Sequence, residues 1–368
     1  MIHSMTLFLC GDVMTGRGID QVLPHASNPV IFEPYMKSAQ GYVELAEKAT
    51  GAFPRPVEFA YIWGDALGEL ARVAPAARII NLETAITQSD EHLDKGINYR
   101  MNPANIPCIE AAGINCCCLA NNHVLDWGYQ GLLDTVDHLN RVHIKHAGAG
   151  HRVEEAQDPA ILDVAMEARV IVFSLGDQTS GIPSGWAATR EKPGVDLLTG
   201  LTPEAVLRIA ERVKRVKRTG DVVVASLHWG GNWDFSISRE HRDFAHWLVD
   251  QAGVDLVYGH SSHHVKGIEV YRKKLILYGC GDFLDDYEGI GGYEEFRNDL
   301  GLMYFASIDP ATGVLLSLRM TPTQIRHFRV CRASGSDARW LKDVMNREGR
   351  PLGTSVELAP DERLTLRF

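Results

Sequence analysis

The chain has 368 residues, 45% hydrophobic and 23% charged, the balance of an ordinary globular protein long enough to bury a large core. Its 37 Lys+Arg against 47 Asp+Glu leave a formal charge of −10, which argues against a general nucleic-acid binder. No run of about 18 apolar residues occurs, so no membrane insertion is expected. Residues 1–10 carry no Lys or Arg and lead straight into Gly11-Asp12, which does not read as a secretory leader.

In chain order, residues 5–10 form a short apolar run bounded by Gly and Asp, the pattern of a buried strand. Residues 21–65 fit no such pattern. They carry Pro24, Pro29, Pro34, Pro54 and Pro56 with aromatics such as Phe32, Tyr42 and Trp63, and read as an insertion that is either a lid over the site or packing decoration. Further strands are expected at 78–82, 115–119, 169–175, 221–227, 254–258 and 275–278. A helix follows Trp127-Gly128, with Leu132, Leu133, Val136 and Leu139 inward. Thr202-Pro203 opens a second as N-cap and first-turn proline, and Gly220 closes it. A third runs over 239–252 and stops at Gly253. From 301 the pattern predicts consecutive strands at 301–307, 314–320 and 324–331, a helix at 337–347 and a last strand near Leu364. Strands alternating with helices predict an α/β fold, read as one domain over 1–368 with the 21–65 insertion and a strand-rich closing segment, 301–368.

The seven cysteines are odd in number, and Cys116, Cys117 and Cys118 are consecutive, with no C-x-x-C. That is neither a disulfide framework nor a zinc ribbon. Inside a strand neighbouring side chains point to opposite faces, so the three sulfurs cannot meet one metal and read as small buried hydrophobes. Free thiols suit a reducing compartment, so a cytoplasmic location is expected.

The chemistry gathers where strands end. Asp12 follows the first strand, Glu83 the second, and Asn121-Asn122-His123 the third. His228-Trp229 and His260-Ser261-Ser262-His263-His264 follow two later ones. In open α/β sheets sites form beyond the carboxyl ends of strands, so these groups should converge. Oxygen and nitrogen donors without sulfur suit Mn, Fe, Zn or Mg. There are more donors than one tetrahedral ion needs, which suggests two divalent ions bridged by a carboxylate. Arg17 and Arg100 are candidate clamps for an anionic substrate. Trp127 and Trp229 follow motif positions and are candidate pocket walls. Asp126 stands where it could orient His123.

Taken together, GDVMTGRGID from Gly11, NLETAIT from Asn81, LANNHVLDWGYQGLLDTVDHL from Leu119, HWGGNW from His228, AGVDLVYGHSSHHVKGIEVY from Ala252 and YGCGDFLDDY from Tyr278 resemble the CapA (PgsA) family, named for poly-γ-glutamate capsule biosynthesis. That family is a branch of the calcineurin-like metallophosphoesterases. The resemblance covers roughly residues 5 to 290. It implies a four-layer α/β/β/α sandwich and a two-metal centre. By position, Asp12 resembles the first ligand, Glu83 the bridging carboxylate, Asn122 an amide ligand and His123 the general acid. His228 and His260 resemble ligands to one ion and His263 to the other.

The sequence departs from the pattern at three places. Met14 stands where calcineurin-like enzymes carry a histidine, Ser261 interrupts the histidine block so that His264 could compensate, and Asp282 replaces an asparagine. The implied function is metal-dependent hydrolysis or transfer on a phosphoester or γ-glutamyl substrate, with a homo-oligomer left open. The alternative is a non-catalytic metal- or anion-binding scaffold in a biosynthetic complex.

Overall fold

Two sheets carry the chemistry-bearing strands in the computed structural model, which describes residues 4–164 and 168–368. Residues 1–3, the start of the stretch read against a leader, lie outside the described part. The first sheet runs Asp282–Leu284, Asp12–Val13, Ala77–Leu82, Met5–Leu9, Leu300–Asp309, Val314–Arg326, Leu364–Arg367, Ser355–Leu358, with Cys116–Cys118 also paired to Ala77–Leu82. The second runs Ile268–Tyr271, Lys274–Leu277, Leu256–His260, Val222–His228, Arg169–Gly176, Ala160–Asp163. The central strands of the second sheet are parallel; Arg169–Gly176, Val222–His228 and Leu256–His260 are joined by helical crossovers, the connection parallel strands need.

Side-chain alternation sorts the core. Leu7, Leu9 and Ile79 of the first sheet meet Val172, Val224, Leu256 and Tyr258 of the second in one apolar cluster. Phe8, Cys10, Ile80 and Leu82 turn the other way and pack with Leu132, Val136 and Leu139 of the helix Gly128–Arg141. On the outer face of the second sheet, Ile171, Phe173, Val223 and Val257 pack with Val206, Ile209 and Val213 of Pro203–Val216 and with Phe244 and Leu248 of Arg239–Gln251. Both of these helices begin at side-chain caps: Thr202 accepts from the Ala205 N–H and Ser238 from the His241 N–H. The cysteine run follows the same alternation, with Cys116 and Cys118 in the core between the sheets and Cys117 on the helix side. All seven cysteines are free thiols.

The expected 324–331 strand is a hairpin. Val314–Arg326 continues through the proposed gap, turns at His327 and Phe328, and returns as Arg329–Arg332. Both turn residues have positive φ, 55° and 53°, without being glycine. The carboxylate of Glu288 holds the turn by accepting both of their N–H groups. The apolar pattern concealed it because Phe328 is fully buried. The strand Ser355–Leu358 had no counterpart in the sequence reading. Among the described residues no helix is long and apolar enough to cross a membrane.

Register brings the motif residues level. In the first sheet Asp282, Asp12, Asn81 and Cys118 are successive cross-strand partners. In the second, Gly176, His228 and His260 are. Gly11, just before Asp12, lets the Gly281 backbone approach, since a Cβ there would stand 2.1 Å from the Gly281 oxygen. Gly11→Ala should therefore destabilise the fold by about 1–3 kcal/mol in denaturant melts, as overpacking does; an unchanged midpoint would contradict the close approach.

Candidate metal centre

Asp12 is fully buried and almost fully engaged. Its Oδ1 accepts from Asn81 Nδ2 and from His260 Nδ1, each at 2.8 Å, and its Oδ2 from the Ser261 N–H at 3.2 Å. Asn81 Nδ2 also donates to Glu83 Oε2 at 2.9 Å. Glu83 Oε1 stands 3.9 Å from His228 Nε2 and 3.8 Å from His123 Nε2. His228 Nε2 in turn lies 3.1 Å from Asn122 Oδ1. One donor atom each from Asp12, Glu83 and His228 falls within 4.8 Å of the others. Asn122 joins this group through His228, and His260 through Asp12.

His263 belongs to the other end of the cluster. Its Nδ1 lies 2.9 and 3.0 Å from the two oxygens of Asp282, which neighbours Asp12 in the sheet. The carboxylate that replaces an asparagine thus orients an imidazole, the arrangement that leaves Nε2 free to bind. His123 is oriented likewise. Its Nδ1 is 2.6 Å from Asp126 Oδ2, which also accepts the Tyr99 N–H, while Lys95 Nζ holds Asp126 Oδ1 at 2.7 Å.

The electrostatics call for positive charge. Burial, with Asp12 and Asp282 nearby, pushes the Glu83 carboxyl well above the usual range. Burial would raise Asp12 too, but hydrogen bonding and charge from His260 outweigh it and hold Asp12 well below its ordinary value. Burial drives His228 down to about 3 and His123 to about 4, the latter against the pull of Asp126. Burial would lower His263, but Asp282 reverses the shift and raises it. His228 Nδ1 and His260 Nε2 are buried with no hydrogen-bond partner. Crowded carboxylates, an amide oxygen and unpartnered imidazole nitrogens fit a divalent cation.

Residues 6–287 match the family model described as bacterial capsule synthesis protein PGA_cap. The chain belongs to this capsule synthesis family. It is 47% identical over 362 residues to a probable polyglutamine synthesis accessory protein of Mycobacterium tuberculosis (strain CDC 1551 / Oshkosh), covering 98% of this chain and 95% of that one. It is 27% identical over 314 residues to the capsule biosynthesis protein CapA of Bacillus anthracis, covering 85% of this chain and 66% of that one. To the PGA biosynthesis protein CapA of Bacillus subtilis (strain 168) it is 26% identical over 278 residues, 75% of this chain and 62% of that one.

Within this member of the capsule synthesis family, several expected site residues do other work. Arg17 is not a substrate clamp. It is 3% exposed, and its guanidinium is shared between Glu33 and Asp286. Arg100 is stacked 3.7 Å over Trp127 and bonded to Ser89, Asp90 and Asn28, so neither it nor Trp127 faces the centre. Trp229 is 3% exposed, donates to the Tyr278 carbonyl and stacks on His241, which makes it packing rather than wall. His264 does not compensate for Ser261. Its Nε2 accepts the Asp234 N–H, its Nδ1 lies 3.2 Å from the Val265 carbonyl, and its ring is packed against Phe235. Met14 is fully buried, its sulfur 3.8 Å from the Tyr287 hydroxyl.

The insertion is a buttress rather than a lid. Its Trp63 donates to the Cys108 carbonyl, its Tyr61 hydroxyl to the His327 carbonyl, and Glu33 reaches Arg17. Its route to the centre is indirect, through Arg17 beneath Tyr99 and Tyr99 edge-on to His123 at 4.6 Å.

Sequence reasoning missed Asn81, although it stands two residues before Glu83 in a matched motif. It missed Lys95 and Tyr99, which lie in a stretch without metal-ligand spacing, and Trp233 and Tyr287, which close two matched motifs. Asn81 supplies the one amide that donates to both Asp12 and Glu83. Asn81→Asp replaces that donor with a third acceptor, so the metal-free protein should lose on the order of 3 kcal/mol. Melts with chelator and with added Mn²⁺ check this: the deficit should shrink when the cation is present, and an equal midpoint to wild type under chelator would contradict the crowding.

Proposed function

We propose that this capsule-family chain is a metal-dependent hydrolase or transferase with a dinuclear centre, acting on a phosphoester or γ-glutamyl amide. We read residues 1–368 as one unit of four-layer α/β/β/α architecture, the metallophosphoesterase type, in keeping with one core between the sheets and one on the outer side of each. The observation that carries the functional reading is the burial of Asp12 and Glu83 beside His228, with no lysine or arginine bonded to either carboxylate among the described residues. Two carboxylates about 4–5 Å apart repel by on the order of 3 kcal/mol even at an effective dielectric of 20.

Asp12, Glu83, Asn122, His228, His260 and His263 would hold two divalent ions, Mn, Fe, Zn or Mg. When bound, such ions lower the pKa of water toward neutrality and screen the charge of an anionic electrophile. The chain's own work centres on His123. Asp126 fixes its Nδ1 and leaves Nε2 directed at the Glu83 side of the centre. Burial favours the neutral ring, whereas an anionic substrate beside Nε2 favours the imidazolium, which then donates to the leaving group. Tyr99 walls one face of that ring and excludes water from it. Small substrates are favoured over nucleic acid by the overall acidity. Free thiols favour a reducing, cytoplasmic setting. A scaffold role draws on one observation, the buried Met14 in place of a histidine; it predicts no turnover.

Protein purified without chelator should carry divalent metal by elemental analysis and cleave a generic phosphodiester or a γ-glutamyl anilide. Metal-free protein that neither binds Mn²⁺ or Zn²⁺ nor gains thermal stability from them would overturn the reading. At a hundredfold excess over Kd the ion should contribute about 2.7 kcal/mol to stability. His123→Ala should keep metal and fold yet lose roughly 10²–10⁴-fold in turnover, less for substrates with good leaving groups. Glu83→Gln should lower metal stoichiometry itself, and unchanged metal content there would rule out the bridging role.

A further inference from the structure

A pair of phenols joins the two imidazoles that stand at opposite ends of the centre. Tyr99 packs edge-on to His123 with ring centroids 4.6 Å apart, and Tyr287 edge-on to His263 at 5.5 Å. Their hydroxyls meet at 3.0 Å. Both rings are anchored. The Arg17 guanidinium lies 4.5 Å from the Tyr99 ring centre and 5.6 Å from that of Tyr287, and Glu33 and Asp286 fix it there. Asp286, the residue before Tyr287, also accepts the Gly18 N–H at 2.8 Å, and the Tyr287 N–H is donated to Asp285 Oδ1 at 2.8 Å.

A bond between two hydroxyls uses one of their protons and leaves the other over. Tyr99 is fully buried, whereas Tyr287 is partly exposed and borders a cavity of about 410 Å³, the volume of a small-molecule site. A spare proton on Tyr99 would be stranded in the interior, which is costly. Tyr99 is therefore the donor of the pair, and Tyr287 keeps its own proton. The other group beside the Tyr287 oxygen is the Met14 thioether, 3.8 Å away, a weak acceptor. The Tyr287 hydroxyl is thus fixed in place, accepts one bond from Tyr99, and holds a proton that no strong acceptor takes among the described residues.

We propose that Tyr287 is a further catalytic residue: its hydroxyl donates to a negatively charged oxygen of the substrate's reacting group on the His263 side of the centre, and Tyr99 is the positioning residue for it. An anionic oxygen brought beside His263 comes close to the Asp282 carboxylate that holds that ring, and needs a donor to meet it. A hydroxyl whose oxygen already accepts a bond is the stronger donor for it, and one fixed in advance costs little to align. His123 and Tyr287 then serve different oxygens from opposite ends, the first at the leaving group and the second at an oxygen that stays. The inference deepens the metal-dependent reading above and rests on it, but the contact it describes is measurable without turnover.

The test is titration calorimetry on the full, Mn²⁺-loaded chain with phenylphosphonate, a tetrahedral oxyanion that cannot be turned over. Tyr287→Phe keeps the ring and removes the donor, so binding should weaken at least about tenfold with metal content unchanged. Tyr99→Phe should weaken it about two- to fivefold, and the double variant should be no weaker than Tyr287→Phe alone, because Tyr99 acts only through Tyr287. The double variant also leaves no stranded hydroxyl. Met14→Leu conserves volume and removes only the thioether, so it should stay within about twofold of wild type. No binding to the wild-type chain, equal affinity in Tyr287→Phe, loss of Mn²⁺ from that variant, or an equal loss in Met14→Leu overturns the contact. Binding that depends on Tyr287 without cleavage of bis(p-nitrophenyl) phosphate upholds the contact and counts against the hydrolase; cleavage with kcat and KM indifferent to Tyr287→Phe does the reverse.

Discussion

Everything around the centre answers one electrostatic constraint: Asp12, Glu83 and Asp282 are all buried at the point where two sheets end, with Asp12 within 4.8 Å of Glu83 and beside Asp282 in the sheet. Carboxylates removed from water must be neutralised, hydrogen-bonded or bound to a cation. The surrounding residues supply each of these. Asn81 gives one amide to two acids, the Ser261 N–H and His260 serve Asp12, and His263 serves Asp282. Ser261 takes a φ of 88° to present its N–H, a conformation disfavoured for a non-glycine residue and of the kind that gathers at functional sites.

The same constraint explains why Asp282, Asp12 and Asn81 stand level in one cross-strand row and His228 and His260 in the other. A strand-end position in one sheet faces a strand-end position in the other only if both registers are right. A slip of one residue would turn Asp12 toward the apolar interior. The Gly11–Gly281 approach and the Asp12 N–H to Gly281 carbonyl bond at 2.8 Å pin that register.

Much of this was legible in the sequence because the clustered Asp, Glu, Asn and His residues follow short apolar runs and are flanked by Gly or Asn, a local signal. The cysteine run was legible for the same reason, since alternation within a strand is a local property. What was hidden depends on partners distant along the chain. Nothing near Arg17 announces that its counter-ion is Asp286, 269 positions away. Nothing in the apolar run through Phe328 announces a turn held by Glu288, 40 positions earlier. Arg100 and Trp127 looked like substrate groups because they stand near motifs, yet a guanidinium and an indole satisfy each other equally well by stacking.

The Arg17 cluster also bears on how the insertion could be inherited or engineered. Glu33 and Tyr42 come from the insertion, Arg17 from the first motif and Asp286 from the last, and together they form one buried unit under Tyr99. Trimming the loop would leave a guanidinium in a dry interior with a single partner, so the segment is a component of the scaffold's charge balance and not a removable ornament. A transplant of residues 21–65 into another member of the family would have to carry Arg17 and Asp286 with it, and a relative with a shorter loop would be expected to lack all four side chains together.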